Sequence, residues 1–498
     1  MTAAQAVPHP HPRPGQGLVA TGLARETMGP VEVLAQSIAA IAPSAVMATG
    51  PALVVLSAGN GTWLSYAMAM VLVLLIGMCV VQYGAHVAST GSLYSYVANS
   101  LGPGGAVTAG WGLVLGYAFI AIVGVVGVGI YGASLLAGVG VKAGSRPAQA
   151  LLFLLATVAA TALASFGIKL STRLGLVLEV ISITAILVLI AVVFGRHGVT
   201  DSAQVHIVGA PRNGITFGVV LATLGFVGFE SAAALGAEAK DPARAIPRAV
   251  LSSAVFVGVM YVLAAFATVK GLGAEALAKS AAPMDDLAKV AGLSSFRYVI
   301  DLGVTMSFFA VVIASVNAAS RVLYTMAHEQ MLPALLTRTH PRHRTPHVAI
   351  AALTPVVLLV PLGMLLAGTS TLNIYAYTGT LGTFGYLTAY LLMGLGMPVF
   401  LRGRGLLRPQ HVVLAAAAVL TLLYVVYKNL VPVPASPYNV LPYLYLGMLA
   451  VGVVGYLVVR ARHPERIRLV GTFEERVDAD VPVVAGPAGL SRTHDRAR

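Results

Sequence analysis

Two acidic residues stand well inside long apolar runs of this sequence, Glu179 and Glu230. A carboxylate at membrane depth is costly unless it is paired, hydrated or protonated, so each is a candidate for moving a proton or holding an ion. Glu179 sits in LGLVLEVISIT, with Ser182 one turn further along the same helix face. Together they could hold a coupling proton or a sodium ion; the plainer alternative is a buried carboxylate satisfied by a neighbouring hydroxyl. Glu230 directly follows GFVGF. It could accept hydrogen bonds from opened backbone, titrate as a proton carrier, or simply tie that segment together. Ser315, Asn317 and Ser320 add polar groups in SFFAVVIASVNAASRVLYTMAHEQMLP, for helix–helix bonds or for ion ligation. Tyr375 and Tyr377, in LNIYAYTGTLGTFGYL, could close a pocket or belong to an interfacial aromatic belt.

Backbone chemistry points to the same depth. In QSIAAIAPSAVMATGPALVV, Pro43 is flanked by Ala42, Ser44 and Ala45, and a proline there should open the helix just before it. In ITFGVVLATLGFVGFESAAALG, Gly225 and Gly228 permit backbone geometry that bares N–H and C=O groups. The N-terminus of a half-helix suits a carboxylate, and the carbonyl end suits an ammonium. An α-amino acid presents both groups at once. Taken singly, a proline kink and glycine-mediated packing would explain either segment. Taken together, the two interruptions head two five-helix halves at matching depth, the best sequence pointer to an inverted-repeat transporter.

The elements that must position these groups are membrane spans. The 498 residues are 57% hydrophobic and 10% charged, with a mean hydropathy of +0.85. Too little charge is present to cover a water-facing shell of that size. Twelve apolar segments are expected near 31–58, 62–86, 104–138, 147–166, 172–195, 215–236, 247–270, 296–327, 346–368, 370–395, 410–428 and 439–460. Each is close to the ~20 residues that one crossing needs, or longer. The fold class read from this is all-α integral membrane, a single transmembrane domain over 28–460. Its first repeat covers about 31–195, its second about 215–395, and two extra helices occupy 410–460. Between the seventh and eighth segments, 271–295 reads as a small amphipathic surface helix. Flexible tails are expected at 1–27, where His9 and His11 lie in a Pro-rich stretch, and at 461–498.

Lys and Arg set the orientation. With the N-terminus inside, 22 of the 31 fall on the cytoplasmic side and 9 outside; without the C-terminal tail the comparison is 14 against 9. Both termini are thus expected in the cytoplasm. The net charge of +13 is explained as topology and leaves nucleic acid without support. Arg321 is expected to snorkel or pair near the cytoplasmic end of the eighth span. The lone cysteine, Cys79, excludes an intrachain disulfide and a cysteine metal site. No removable signal peptide is read in the first 30 residues, so the first span is expected to target the chain.

At these residues the chain resembles the amino acid–polyamine–organocation permeases, whose fold is the LeuT-like five-plus-five inverted repeat with broken first and sixth helices. GFVGFESAAALGAEAKDPARAIPRAV, 225–250, is similar to the family's sixth-helix signature and following loop, including Glu238 and the run from Pro242 to Arg248. NAASRVLYTMAHEQMLP, 317–333, is similar to its eighth-helix ending. The resemblance covers roughly 28–460 and implies that substrate meets Ala42, Pro43, Ser44 and Ala45 in the first helix, and Phe226, Val227, Gly228 and Phe229 in the sixth. Many members have a glycine-rich first break, unlike the Ala-Pro-Ser-Ala here. Some proton-coupled members carry a lysine where this chain has Ser182, which turns attention to Glu179. Leu224 stands where some relatives have an aromatic gate, leaving that duty to Phe226 or Phe229.

The expected function is a secondary active transporter, a permease moving an amino acid or related amine across the cell membrane by alternating access. Coupling would be to protons or by exchange, with sodium the other candidate ion. Neither cofactor nor metal is called for, and the partners are substrate and membrane lipid, as monomer or homodimer. A transporter of another organic cation is one alternative. An integral-membrane enzyme is the other, for which His328, His340, His343 and His347 cluster near Glu329 within or beside RTHPRHRTPH. Arg and Pro neighbours favour a solvated basic loop touching anionic lipid. The loop after the second span, HVASTGSLYSYVANSLGP, carries no Lys or Arg and so lacks the basic motif of major-facilitator transporters.

Overall fold

The computed structural model describes Leu23 and residues 27–476 apart from 139, 142, 281, 432–435 and 474. Nearly all of the expected N-terminal tail, with His9 and His11, and residues 477–498 lie outside the described residues. Helices dominate. The chain begins with α1 (Pro30–Ile41), α2 (Pro43–Ala58), α3 (Thr62–Gly84), α4 (Leu93–Gly138), α5 (Arg146–Phe166) and α6 (Ile168–His197). After the short α7 (Ser202–Val205) come α8 (Arg212–Leu224), a 3-10 turn at Phe229–Leu235, and α9 (Pro242–Leu272). Then follow α10 (Ala274–Lys279), α11 (Pro283–Val290), α12 (Arg297–His328), α13 (His347–Leu366), α14 (Thr371–Gly403), α15 (Pro409–Leu430) and α16 (Leu441–Arg462).

Among the described residues, 11 helical stretches are long and apolar enough to cross a membrane. The first, Pro30–Gly84, runs 55 residues, over twice the ~20 that one crossing needs. Most boundaries follow the apolar runs to within a few residues. The third does not. α4 starts at Leu93 rather than near 104, and Gly102 interrupts it with φ 73° and ψ −171° just before Pro103. The Gly-Pro pair marks a kink inside a helix whose first turn, with Tyr94 and Tyr96 fully buried, is held by packing. The tenth segment runs on to Gly403, and 271–295 folds as two short helices, α10 and α11, instead of one.

Packing divides the bundle. α4 lies along α12 and α14, α3 lies along α9, and α1 is wedged between α6, α9 and α12. α16 is almost bare, with Tyr443 75% and Val451 66% exposed, faces that a bilayer would cover.

The C-terminal segment departs from expectation. Residues 464–473 do not run free but fold back onto the bundle. The Gly471 and Phe473 N–H groups donate to Glu329 Oε1 at 3.0 and 3.2 Å, and the Tyr94 hydroxyl donates to Glu329 Oε2. Phe473 stacks on His328 at 4.3 Å. A two-residue strand β1 (Val87–Ala88) pairs antiparallel with β2 (Glu475–Arg476).

Candidate functional site

Two interruptions of the backbone meet in the bundle. Pro43 crowds the preceding residue out of the right-handed helical region and has no N–H to return to the turn before it. Ala42 leaves the helix in the left-handed region, at φ 52°, ψ 61°, and α2 restarts with Pro43 as its first residue. On the other segment α8 ends at Leu224, and the backbone turns through residues 225–228. Gly228 holds φ 95°, and a Cβ there would stand 2.9 Å from the Ala40 carbonyl oxygen. Glycine is needed twice over, for the dihedral and for the approach.

Side chains stitch this crossing. Ser37 Oγ donates to the Phe229 carbonyl at 2.7 Å, Ser231 Oγ donates to the Gln36 carbonyl at 3.2 Å, and the Ala232 N–H donates to Ser37 Oγ at 3.4 Å. Ala42, Pro43, Ser44 and Ala45 are thereby carried on a segment side by side with Phe226, Val227, Gly228 and Phe229, and all eight are buried. Phe226 sets its ring against Tyr261 at 4.9 Å, and Phe229 against Tyr390 at 5.7 Å.

Glu179 reaches this crossing from α6. Its Oε1 accepts the Ser44 N–H at 3.0 Å and the Ser44 hydroxyl at 2.9 Å, at the start of α2. Aligned peptide dipoles there favour an anion by about 1 kcal/mol. The next N–H, of Ala45, donates to Ser307 Oγ of α12 at 3.3 Å. Glu179 Oε2 is buried and accepts no hydrogen bond. A crevice of about 240 Å³ lies against Glu179, lined by Ile38, Leu176, Val180, Ile183, Thr184 and Phe256. Val180 and Phe256 are 52% and 41% exposed, so the crevice opens on the outer faces of the helices.

Glu230 is held from two other helices. The Tyr117 hydroxyl of α4 donates to its Oε1 at 2.9 Å, and the Tyr390 hydroxyl of α14 donates to its Oε2. The carboxylate thus links the unwound segment to α4 and α14.

Several expected partners stand elsewhere. Ser182 does not satisfy Glu179: its Oγ is buried without a partner and lies against Gly303 of α12. Ser315 Oγ is likewise unpartnered, and Asn317 donates to Ser171 Oγ at 3.0 Å, away from both glutamates. Tyr377 packs on Tyr438 at 5.4 Å, beside the last helices, not at the crossing. Tyr375 faces inward instead, edge-on to Phe308 at 5.9 Å. Arg321 does not snorkel. It is buried and forms a bidentate pair with Glu238, at 2.5 and 3.0 Å.

Sequence reading missed Ser37, Ser307, Tyr117 and Tyr390. Each is a polar tip in an apolar run, with nothing in its local spacing to mark it off from other buried hydroxyls. At the end of the bundle holding residue 28, further ties close the helices together. The Met28 N–H donates to the Glu238 carbonyl and the Lys240 N–H to the Met28 carbonyl, both at 3.0 Å, and Arg173 pairs with Glu32 at 2.7 Å. The His340 ring lies 4.6 Å from His343 and 5.7 Å from His347, while His328 stacks on Phe473 instead. Among the described residues, no three of His, Cys, Asp and Glu group closely enough to hold a metal ion.

A family model described as amino acid permease matches residues 30–453. An uncharacterized transporter of Mycobacterium tuberculosis is 30% identical over 292 residues, 58% of this chain and 63% of the relative. A branched-chain amino acid permease of Bacillus subtilis is 25% identical over 315 residues, 59% of this chain and 65% of the relative. A methylthioribose transporter of Bacillus subtilis is 25% identical over 304 residues, 58% and 64% of the two chains. The chain thus spans a little under two thirds of the length of these curated relatives.

Proposed function

The chain belongs to the amino acid permease family, and from that premise we propose that it is a secondary transporter moving an amino acid or related amine across the cell membrane by alternating access. The observation that carries this is the meeting of two broken helices, with Gly228 seated against Ala40 and Glu179 on the start of α2. Non-helical backbone at membrane depth is tolerated where it is buried in protein or lines a cavity, and two such segments meeting at one place support the second case.

In this reading Pro30–Gly84 supplies two crossings and the count becomes twelve. α1 to α6 form the first five-span repeat, α8 to α14 the second, and α15 and α16 are the extra pair. The breaks at Ala42 and at 225–228 are then equivalent positions of the two repeats, as an inverted repeat requires. Both termini lie in the cytoplasm, on the side richer in Lys and Arg. A proton or sodium ion at Glu179, or exchange of two substrates, drives the cycle. Family membership speaks against the enzyme reading. A relative named for methylthioribose keeps a substrate other than an amino acid as the second reading.

Uptake into proteoliposomes of a panel of amino acids and amines, with and without a pH gradient, tests the proposal. Saturable uptake or exchange of at least one member is expected; none across the panel contradicts it. If Glu179→Gln transports with unchanged pH dependence, Glu179 is not the proton site.

A further inference from the structure

An α-amino acid bound at the crossing would set its carboxylate on the first free N–H groups of α2. None is free. Pro43 has no N–H, the Ser44 N–H donates to Glu179, the Ala45 N–H to Ser307 Oγ, and the Val46 N–H to the Ala42 carbonyl. The donor that half-helix starts use to hold anions is therefore already filled by an anion of the protein itself. We infer that Glu179 occupies the carboxylate seat, and that the site takes an amine bearing no free carboxylate, whose ammonium meets Glu179.

Charge decides between the two ligands. A ligand carboxylate at ~4 Å from the Glu179 carboxylate, at an effective permittivity of ~20, meets a repulsion worth roughly a thousandfold in affinity, which the α-ammonium of a zwitterion offsets only in part and which an amine without a carboxylate does not meet. Among the described residues the two arginines facing α1 and the 225–240 segment are both committed, Arg173 to Glu32 and Arg321 to Glu238. The neutralising cation has to arrive with the ligand. Glu179 Oε2, fully buried, has no partner within 3.5 Å, with the Ser307 hydroxyl beside the carboxyl, and is the atom that an ammonium N–H would satisfy. Such a charge-assisted bond is roughly twice as strong as a neutral one. A proton on Glu179 is the other way to neutralise it, and would let a carboxylate displace the side chain from Ser44; matched ligands separate the two.

This inference rests on the transporter reading and narrows its substrate. The test is equilibrium binding to the full chain in detergent or nanodiscs, by thermal shift and scintillation proximity, of matched pairs: leucine against isoamylamine and phenylalanine against phenethylamine. In the wild type, at least one amine is expected to bind 10-fold or more tighter than its amino acid. Glu179→Gln should lose amine affinity by about 10-fold or more and narrow or reverse the preference, while Glu179→Asp keeps it. Wild-type protein that prefers the amino acid of each pair overturns the inference whether or not the variants fold, as does a preference that Glu179→Gln leaves unchanged. If neither amine binds, the inference is overturned, a result distinct from failure of the transporter reading, which the uptake panel decides.

Discussion

Arg321 and Glu238 form a buried, bidentate ion pair between α12 and the segment that follows the 225–235 turn, with side chains 1% and 0% exposed. Taking away one partner strands a charge out of water, at a cost of about 3–5 kcal/mol, whereas removing both is often close to neutral. Glu238→Gln or Arg321→Met alone should therefore lower the thermal midpoint sharply. The double variant Glu238→Gln with Arg321→Met should recover most of the loss. Equal damage from the double and single variants would show that the pair is not held as an ion pair.

Ala42 adopts a left-handed conformation that costs a non-glycine residue about 1–2 kcal/mol. Ala42→Gly should stabilise the fold by up to about 1 kcal/mol, and Ala42→Val should destabilise it by more than that. Gly228→Val faces both φ 95° and the Ala40 carbonyl oxygen, so it should abolish ligand binding. Thermal unfolding and ligand binding measured on the same preparations separate these effects. Normal ligand affinity in Gly228→Val would refute the crossing as the site.

Glu230 relies on two hydroxyls. Tyr117→Phe or Tyr390→Phe leaves a buried carboxylate one donor short, worth about 1.5–3 kcal/mol each. Because both donors serve one group, the double variant should depart from additivity in unfolding experiments. Two small, additive losses would mean that the tyrosines fill space and do not hold the carboxylate.

Burial pushes the Glu329 carboxyl up to about 7, and hydrogen bonds from Tyr94, Gly471 and Phe473 offset this only in part. The titratable group bonded to it is Tyr94 on α4; His328 precedes it in the chain, with Tyr324 packed on the imidazole. A raised value means that docking favours the protonated acid. The contribution is full below the ordinary carboxyl range near 4.5 and is lost as pH rises through about 7. Phe473→Trp, read as the difference from the same chain without it because Trp63 and Trp111 also emit, should therefore report tighter docking, as higher emission anisotropy, at about pH 5 than at about pH 8. Glu329→Gln should flatten the profile. A profile unaffected by Glu329→Gln would assign the change to another group.

Part of this was legible in the sequence because it is written in single residues. Pro43 dictates its own break, and Gly228 announces left-handed backbone, so the two interruptions were readable without coordinates. Glu179 was readable as an expensive residue, yet its partner was not. Ser44 lies 135 positions away, and only the packing of α6 on α1 and α2 selects it over Ser182. Tyr375 and Tyr377 show the same limit. Two positions apart, they lie about 200° apart around a helix, so packing alone decides which one faces Phe308 and which faces Tyr438. The early start of α4 had no local signal, since Gly102-Pro103 reads as a boundary and tertiary burial of Tyr94 and Tyr96 overrides it.

In the proposed transport cycle the two broken helices share one ligand. Amide hydrogen exchange of the reconstituted chain, with and without a bound member of the panel, tests it most directly. The expected result is slowed exchange in the peptides spanning 38–47 and 224–232 together. A ligand that binds while protecting neither segment, or only one of them, would contradict it.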